Sequence, residues 1–373
     1  MGIPKFSEII KRKTYYCGGS NSFNRVLKRY RFKNTNNIND NWDIYIPNGY
    51  NRIEVELKHL KPSNDNQIIL GIQGCDNLVG KTWLWNILER TYGRQKASTL
   101  MPETYVLENE EHVKLFKEQY KEGEIYILKK RRQRKEGIQL TRDLKEILEA
   151  KDQEFTLVQN YKRDILLVNK RKLNLRIYLL LKFKNGLLEG YINKYGTCIY
   201  SNKEYDDSTL DFENNITSYN LDLKVYDDNP MTMRQLRTYL LDNGYKDPDI
   251  LLKRINEKMC LVLDAVKPHL GIHGNLDDNL CAQIFGMDFI VDKDLNPYLL
   301  ECNKGPDMKP KEDSSFAKLI FPLENFYKAE DIVEKCYPSG YKSGNGLKVQ
   351  RDMFELLNLI ETKTKNNGFY QIY

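Results

Sequence analysis

The sequence lacks long apolar runs and has no paired cysteine motif. No apolar stretch approaches the roughly 18 residues of a membrane-spanning helix, and IYLLL at 177–181 has only the length of a buried strand. The seven cysteines are scattered and form no Cys-x-x-Cys pair, which favours reduced thiols over a disulfide framework. The basic N-terminal stretch has no apolar segment of the kind that a secretory signal needs. We therefore expect a cytoplasmic protein that does not act in a membrane.

A complete phosphate-binding P-loop is also missing. GCDNLVGKTWLW at 74–85 places a glycine before Gly-Lys-Thr and a predicted helix. However, five residues separate Gly74 from Gly80 where a P-loop has four, and Cys75 occupies the position that requires glycine. We therefore do not predict a P-loop enzyme, and Lys81 needs another explanation. Alanine at Gly74 should then matter far less than it would in a P-loop.

The charged residues are unevenly distributed along the chain. There are 58 Lys and Arg against 52 Asp and Glu, which gives a formal net charge of +6. Basic residues cluster at 1–33, 129–135 and 162–184. Such clusters suggest an acidic partner, which could be nucleic acid, nucleotide phosphates or an acidic peptide. For each cluster taken alone, a solvated face is the alternative.

The order of the predicted elements favours an α+β fold. Apolar periodicity predicts helices at 82–92, 110–121, 231–243, 248–269 and 348–364. Strands are predicted at 68–72, 124–129, 137–140, 155–161, 175–183, 284–292 and 297–302. The polar stretches 34–50 and 201–229 are predicted to be loops. Hairpins, a meander and helices in this order indicate an α+β protein and not a doubly wound sheet.

The hairpin FGMDFIVDKDLNPYLLECNKGP at 285–306 is the most informative segment. Side-chain alternation places Asp288 between apolar neighbours on a buried strand, and it places Glu301 and Asn303 on one face of the partner strand. Two carboxylates and an amide oxygen are hard ligands that suit Mg²⁺. The alternative is that both acids pair with arginine or lysine inside the sheet, because buried acids need a partner.

A second hairpin could contribute to a nucleotide site. Lys129 ends a predicted strand and precedes a basic turn that leads to Gly137. From that position a lysine can reach the phosphates of a nucleotide clamped between two sheets. A solvated hairpin tip is the alternative.

A third segment, 157–181, carries groups for both ends of a nucleotide. The backbone at the end of its first strand, 159–161, could bind an adenine edge. Lys172, Asn174 and Arg176 then occupy alternating positions at the start of the next strand, so they share a face. Two cations on one face suit a phosphate or carboxylate substrate.

Together and in this order, the three segments resemble the tubulin–tyrosine ligase-like family, which has an ATP-grasp fold. VQNYKRDILLVNKRKLNLRIYLL at 158–180 and the hairpin at 285–306 are similar to two sequence blocks of that family. QGCDNLVGKTWLWNIL at 73–88 is similar to its strand, turn and lysine-bearing helix. The resemblance covers roughly 66–181 and 283–306.

The resemblance implies two α+β subdomains that clamp ATP, with an N-terminal accessory region. The expected parts are a basic N-terminal region at 1–65, the first ATP-grasp part at 66–154, the second with the metal site at 155–325, and a helical extension at 326–373.

The resemblance also implies site residues. Those expected to bind Mg²⁺ are Asp288, Glu301 and Asn303. Those expected to contact ATP are Lys81, Lys129, Gly137, Gln159, Tyr161 and Thr217. Lys172 and Arg176 would face the γ-phosphate and the acceptor carboxylate, and together with Glu301 they are the expected catalytic residues.

The activity implied is an ATP-dependent carboxylate–amine ligase. It would add Tyr, Glu or Gly to an acidic protein tail, with tubulin the leading acceptor, through an acyl phosphate. The partners implied are that tail and a free amino acid; no nucleic acid is expected, and the protein would be a monomer. The expected location is the cytoplasm of a eukaryotic cell, or of a host cell for a viral protein, with microtubule association an open alternative.

Departures from the family pattern support a second hypothesis. The segment corresponding to the glycine-rich phosphate loop is RRQRKEG at 131–137, with one glycine, and Asn174 stands where the family has aspartate. The stretch GTCIYS at 196–201 lacks the family's arginine. The alternative is therefore a catalytically impaired ligase-like module that binds microtubules or acidic tails.

Overall fold

The computed structural model of the chain describes residues 14–17, 23, 27–28, 30–131, 137–217, 222–306, 348–359 and 367–373. Some predicted features lie outside the described residues, namely residues 132–136 of the basic turn, much of the N-terminal basic region, and 307–347. Among the helices that are described, none is both long enough and apolar enough to cross a bilayer.

Two β-sheets form the framework. The large sheet has ten strands, β1 (Thr14–Cys17), β2 (Lys33–Thr35), β3 (Ile44–Ile46), β4 (Ile68–Ile69), β9 (Leu167–Val168), β10 (Arg171–Lys184), β11 (Leu187–Tyr200), β12 (Leu280–Val291), β13 (Pro297–Asn303) and β14 (Phe369–Gln371). The small sheet has four, β5 (Thr104–Val106), β6 (Tyr126–Lys130), β7 (Ile138–Thr141) and β8 (Phe155–Asn160).

Helices flank the two sheets. They are α1 (Ile53–His59), α2 (Asp76–Val79), α3 (Lys81–Tyr92), α4 (Arg94–Leu100), α5 (Glu110–Gln119), α6 (Leu144–Glu149), α7 (Phe212–Asn215), α8 (Met233–Asp242) and α9 (Ile250–Val266). A further helical stretch covers 348–356.

The large sheet runs in the order β14-β11-β10-β12-β4-β3-β1-β2. β12 is central and antiparallel to β10. On its other edge β12 pairs with two strands in succession, first β4 in parallel and then β13 in antiparallel orientation. The small sheet has the order β5-β8-β6-β7, with every pair antiparallel.

The alternation of side chains divides β10 into a core face and a mixed face. Leu173, Leu175 and Ile177 belong to the main core cluster, which also contains buried residues of α3 and α9 such as Trp85 and Val262. On the opposite face the apolar part is the middle of the strand, where Tyr178 and Leu180 pack in a second cluster with residues of the 348–356 helix. The near end of that face holds polar residues, and this is where the candidate site lies.

The predicted α+β class and ATP-grasp fold are confirmed by the two sheets with flanking helices. The predicted helices at 82–92, 110–121, 231–243 and 248–269 are present within a few residues of their expected ends. The predicted meander is simpler than expected, because β10 and β11 are two continuous 14-residue strands. The four domain ranges given above stay a prediction.

Several short elements were not predicted, and three of them correct specific expectations. β3 lies within the stretch 34–50 that we predicted to be a loop, and that prediction is wrong for its three residues. They are fully buried because β3 lies between β1 and β4 as a parallel strand. The loop at 201–229 likewise contains the short helix α7, and β14 follows the C-terminal helix and pairs with β11.

Candidate active site

A row of charged residues crosses three strands of the large sheet. Arg176 on β10 lies opposite Asp288 on β12, and Asp288 lies opposite Glu301 on β13. Asn303 lies opposite Gly286, one alternation further along the same face. The structure therefore brings Asp288, Glu301 and Asn303 together on one face, as the sequence predicted.

A β-bulge at Leu300 makes this row possible. Asp288 pairs with Glu301, but its neighbour Phe289 pairs with Leu299, so Leu300 has no partner in the ladder. Leu299 and Glu301 have the same parity in sequence and would share a face in a regular strand. The extra residue lets Leu299 enter the core while Glu301 faces the site.

Arg176 binds both oxygens of Asp288. The guanidinium Nε donates to Oδ1 at 2.5 Å and Nη2 donates to Oδ2 at 2.8 Å. Burial raises the pKa of Asp288, and Arg176 opposes this shift. For Arg176, burial lowers the pKa, but the carboxylate of Asp288 outweighs burial and the net shift is upward. The pair is therefore a charge-assisted, bidentate contact in a buried setting.

Lys81 reaches the same row from the first turn of α3. Its Nζ lies 3.3 Å from Oε2 of Glu301, and Nδ2 of Asn303 donates to Oε1 at 3.1 Å. Burial alone would raise the pKa of Glu301. Lys81, then Asn303, then the nearby cations outweigh burial and lower that pKa to about 2. The carboxylate is therefore ionised throughout the physiological pH range.

Lys129 approaches the charged row from the small sheet. The region between Lys129 and the row is called the cleft below. It is 7% exposed, and its Nζ donates to Oε1 of Gln159 at 2.7 Å. Gln159 is held in turn, since its Nε2 donates to Oγ1 of Thr104 at 2.7 Å. Burial, and then the charge of Lys81, lower the pKa of Lys129 to about 8. Gln159 thus orients a lysine that burial has made unusually acidic.

Lys172 lies on the large sheet and faces the small one. It is 4% exposed, and its Nζ sits 4.0 Å from the ring centroid of Tyr161. The Tyr161 hydroxyl donates to Oδ1 of Asn215 at 2.8 Å, which fixes the ring. Burial, and then the charge of Lys129, lower the pKa of Lys172 to about 7. Within the part of the chain that the structure describes, a cation–π contact and not an acid holds this lysine.

The cleft has more positive charge than negative charge. Four cations, Lys81, Lys129, Lys172 and Arg176, face the two carboxylates of Asp288 and Glu301. Within the described residues, no carboxylate lies in ion-pair distance of Lys129 or Lys172. The buried Oδ1 of Asn174, between Lys172 and Arg176 in the strand, also has no hydrogen-bond partner there. An anionic ligand would supply the missing charge.

The residues fit a divalent cation. Asp288, Glu301 and Asn303 offer hard oxygen ligands on adjacent rigid strands. The alternative prediction, that both acids pair with basic residues, is also met, because Arg176 contacts Asp288 and Lys81 contacts Glu301. The two arrangements are compatible because each carboxylate oxygen has a second lone pair. The assignment of these three residues to Mg²⁺ stays a prediction.

Of the remaining predicted ATP contacts, the structure places Tyr161 beside Lys172. The backbone amides after Gln159 are already bonded, that of Asn160 to the carbonyl of Glu103 at 2.9 Å and that of Tyr161 to the carbonyl of Ile125 at 3.3 Å. Contact of this hinge with adenine stays a prediction. Gly137 is buried at the edge of the undescribed turn, and Thr217 is half-buried beside undescribed residues.

Gly74 has a structural role that the sequence did not reveal. Its φ of +79° favours glycine, and an added Cβ would lie 1.9 Å from the carbonyl oxygen of His269. Alanine at Gly74 should therefore destabilise the fold, whereas the prediction that it matters far less for nucleotide binding than in a P-loop stays a prediction. The reason for the destabilisation is close backbone packing and not phosphate binding.

The ion pair between Lys304 and Asp76 was not predicted from the sequence. The two residues are 228 positions apart, and neither has a distinctive local pattern. The only signal was their position, next to Asn303 and within the Gly74–Lys81 segment.

Comparison with known proteins gives a consistent result. The model of the Tubulin-tyrosine ligase family matches residues 58–321. The chain is 26% identical over 250 residues to a probable tubulin polyglutamylase of Caenorhabditis elegans, covering 63% of this chain and 59% of that protein. It is 31% identical over 153 residues to a probable tubulin–tyrosine ligase of Schizosaccharomyces pombe, covering 41% and 36%.

A third relative has a different stated activity. The chain is 26% identical over 188 residues to a tubulin glycylase of Tetrahymena thermophila, covering 46% of this chain and 20% of that protein. The matched part thus spans less than two thirds of the length of each of these three relatives.

Proposed function

The chain belongs to the tubulin–tyrosine ligase family, and from that premise we propose that it is an ATP-dependent carboxylate–amine ligase. It would join a free amino acid to a carboxylate of an acidic protein tail, with tubulin as the leading acceptor. The observation that supports this best is the excess of buried cations, with Lys129 and Lys172 lacking acidic partners among the described residues. Buried, uncompensated lysines are costly unless an anionic ligand pairs with them.

We propose ATP as this ligand, because its phosphates carry the negative charge that the buried lysines lack. Its phosphates would lie between Lys129 of the small sheet and Lys172 of the large one, with Lys81 and Arg176 at the charged row. Mg²⁺ held by Asp288, Glu301 and Asn303 would neutralise charge on the phosphate oxygens. The side chains themselves would orient the nucleotide and exclude water from it.

The reaction would take two balanced steps. In the first, an oxygen of the acceptor carboxylate attacks the γ-phosphorus, the bond to the β–γ bridging oxygen breaks, and ADP leaves. In the second, the amine of the amino acid attacks the acyl carbon, inorganic phosphate leaves, and the amine loses a proton. Lys172 and Arg176 would stabilise the negative oxygens in both steps. Positioning of the reactants could contribute on the order of 7–11 kcal/mol.

The names of the relatives frame the choice of donor. A polyglutamylase, a tyrosine ligase and a glycylase are all similar to this chain, so glutamate, tyrosine and glycine are the three donors to test. We further propose that the protein acts as a monomer in the cytoplasm, where tubulin is available.

A second candidate is a module that binds acidic tails without chemistry. It is favoured by the engagement of both Asp288 oxygens by Arg176, which a metal would have to share. The single glycine at 131–137 favours it as well. In this case the basic cleft would hold a peptide carboxylate, and Glu301 would matter only for stability.

One assay separates the two candidates. The protein is incubated with ATP, Mg²⁺, tubulin and one radiolabelled amino acid at a time: tyrosine, glutamate or glycine. Incorporation with ADP release supports the ligase, and Glu301→Gln should abolish it. The matched control is Glu189→Gln, which removes the partner of Lys182 elsewhere on the β10–β11 pair. No incorporation with any donor, together with tubulin binding that survives Glu301→Gln, would support the binding module.

A further inference from the structure

Two strand ends meet on one edge of β12. β4 runs parallel to the first residues of β12, with Ile69 opposite Cys281. β13 runs antiparallel to its last residues and ends with Asn303 opposite Gly286. The chain leaving β4 and the chain leaving β13 therefore approach each other head-on. The first leads to Lys81, and the second has just supplied Glu301 and Asn303.

Gln283 of β12 bridges the gap between the two strand ends. Its Oε1 accepts from the backbone N–H of Ile72 at 2.9 Å, and its Nε2 donates to the carbonyl oxygen of Lys304 at 3.4 Å. Gln283 is 4% exposed, so water competes little for these contacts. One buried amide thus ties both segments to the central strand.

Lys304 makes a second connection across the same gap. Its ammonium forms an ion pair with Oδ1 of Asp76, the first residue of α2. The side chain of Lys304 is 11% exposed and that of Asp76 is 32% exposed, so the pair is partly shielded from solvent. Asp76 lies five residues before Lys81, and Lys304 lies three residues after Glu301. The pair therefore joins the two segments whose side chains meet as the Lys81–Glu301 contact.

The segment around Asp76 is itself rigid. Oε2 of Glu54, on α1, accepts from the N–H of Gly74 at 2.9 Å, and its Oε1 accepts from the N–H of Asp76 at 3.1 Å. Glu54, Cys75 and Asp76 hold ligand atoms within 4.8 Å of one another, a spacing that could suit a metal ion. The cation present beside Asp76 is the ammonium of Lys304, so the protein supplies this charge from its own chain.

We propose that Asp76 and Lys304 are a positioning pair that sets Lys81 against Glu301 and so prepares the cleft for its phosphate ligand. They do not contact the reacting atoms; they act by holding the turn that carries Lys81 to the strand end that carries Glu301 and Asn303. The effect on ligand binding rests on the proposed function, whereas the effect on the Lys81–Glu301 contact does not.

The first test measures binding of ATP with Mg²⁺ by calorimetry. Lys304→Met and Asp76→Asn should each raise the Kd by about tenfold, the size seen when groups that orient ligands are lost. The double variant should be no weaker than either single one, because the two side chains act as one unit. The control Lys182→Met removes a similar lysine–carboxylate pair near the other end of β10 and should leave the Kd unchanged. Equal loss in the control, or additive losses in the double variant, would overturn the proposal.

The second test does not depend on a ligand. Lys81→Met, Glu301→Gln and their double variant form a cycle whose coupling is measured by denaturant unfolding. The coupling should be present in the native background and should shrink in the Lys304→Met background. Unchanged coupling contradicts the positioning role. If the wild-type protein binds no ATP, the proposed function is refuted. The cycle still tests the positioning role of Asp76 and Lys304 in that case, because it needs no ligand.

Discussion

The two lysines buried in the cleft titrate near neutral pH. Burial lowers the pKa of Lys129 to about 8 and that of Lys172 to about 7. A neighbouring charge adds to each shift, that of Lys81 for Lys129 and that of Lys129 for Lys172. Phosphate binding needs both in the charged form, so affinity for ATP should fall as the pH rises through this range. We expect a Kd at least about tenfold higher at pH 8.5 than at pH 6.5.

Calorimetry in buffers of different ionisation enthalpy measures this dependence and also the protons taken up on binding. Lys172→Met should bind ATP more weakly at pH 6.5 and should show a flatter pH profile. Without ligand, the stability of the fold changes with pH in the opposite direction to the affinity for ATP. The lysines keep their protons to higher pH in the unfolded chain than in the folded one, so the free energy of unfolding rises between pH 7 and about 10.5. A Kd that does not vary between pH 6.5 and 8.5 would contradict the assignment of these lysines to the phosphates.

Gly74 gives a second prediction at the residue scale. Gly74→Ala should destabilise the fold by about 2–4 kcal/mol, because the methyl group meets the His269 carbonyl at a positive φ. Gly186→Ala is the control, since Gly186, in the turn between β10 and β11, has a φ of +72° but nothing within 4 Å of an added Cβ. It should cost only about 1–2 kcal/mol. Denaturant unfolding measures both, and equal costs would show that packing against His269 is unimportant.

At the residue scale the sequence predicted which polar side chains share a face and missed what contacts them. Alternation was enough to place Asp288, Glu301 and Asn303 together, because it is a local property of strands. The contact of Glu301 with Lys81 and that of Lys304 with Asp76 depend on the order of strands in the sheet. No local pattern encodes that order.

At the scale of elements, β14 protects the open edge of β11. It pairs with Tyr191, Ile192 and Asn193 of β11, and its Phe369 is buried in the second core cluster. Removal of residues 367–373 should expose this edge and cost at least about 3 kcal/mol of stability. An exposed edge also promotes association between chains.

Thermal unfolding and light scattering check this prediction. The truncated protein should unfold at a lower temperature and scatter more light on heating. Gln371→Ala is the control, because Gln371 is exposed and its backbone pairing is kept. A truncated protein as stable and as soluble as the control would show that β11 needs no cover.

Long periodic elements were predictable and short ones were not. α9 presents buried residues at helical spacing over 17 residues, and this repetition carried the prediction. β3 has three residues within a polar stretch, so it forms only because β1 and β4 pair with it. The bulge at Leu300 likewise has no turn residue to mark it. The bulge is needed because Leu299 must face the core while Glu301 faces the site, and a regular strand would put both on one face. This requirement can be recognised only once the strand pairing is known.

At the scale of the whole molecule, the cleft joins two sheets that a ligand would hold together. ATP with Mg²⁺ at 100 times its Kd should stabilise the protein by about 2.7 kcal/mol and raise Tm by about 3 °C. EDTA should remove most of this shift, because the nucleotide would then lack its metal. Differential scanning fluorimetry is sufficient for the measurement.

Glu301→Gln is the informative variant for this experiment. It should lose the Mg²⁺-dependent part of the shift while it remains folded, and Glu189→Gln should keep the full shift. A shift that is independent of Mg²⁺ in the native protein would argue against a metal at Asp288, Glu301 and Asn303.

The central place of β12 has a consequence for synthesis of the chain. β4 and β10 are made early, yet each must wait for residues 280–291 before its edge is covered. Lys81 likewise meets Glu301 only after that residue has left the ribosome. A nascent chain therefore presents open strand edges for much of its translation, a state that is prone to association and slow to resolve. It can hold no assembled cleft in that period, so no incomplete chain could consume ATP through this site.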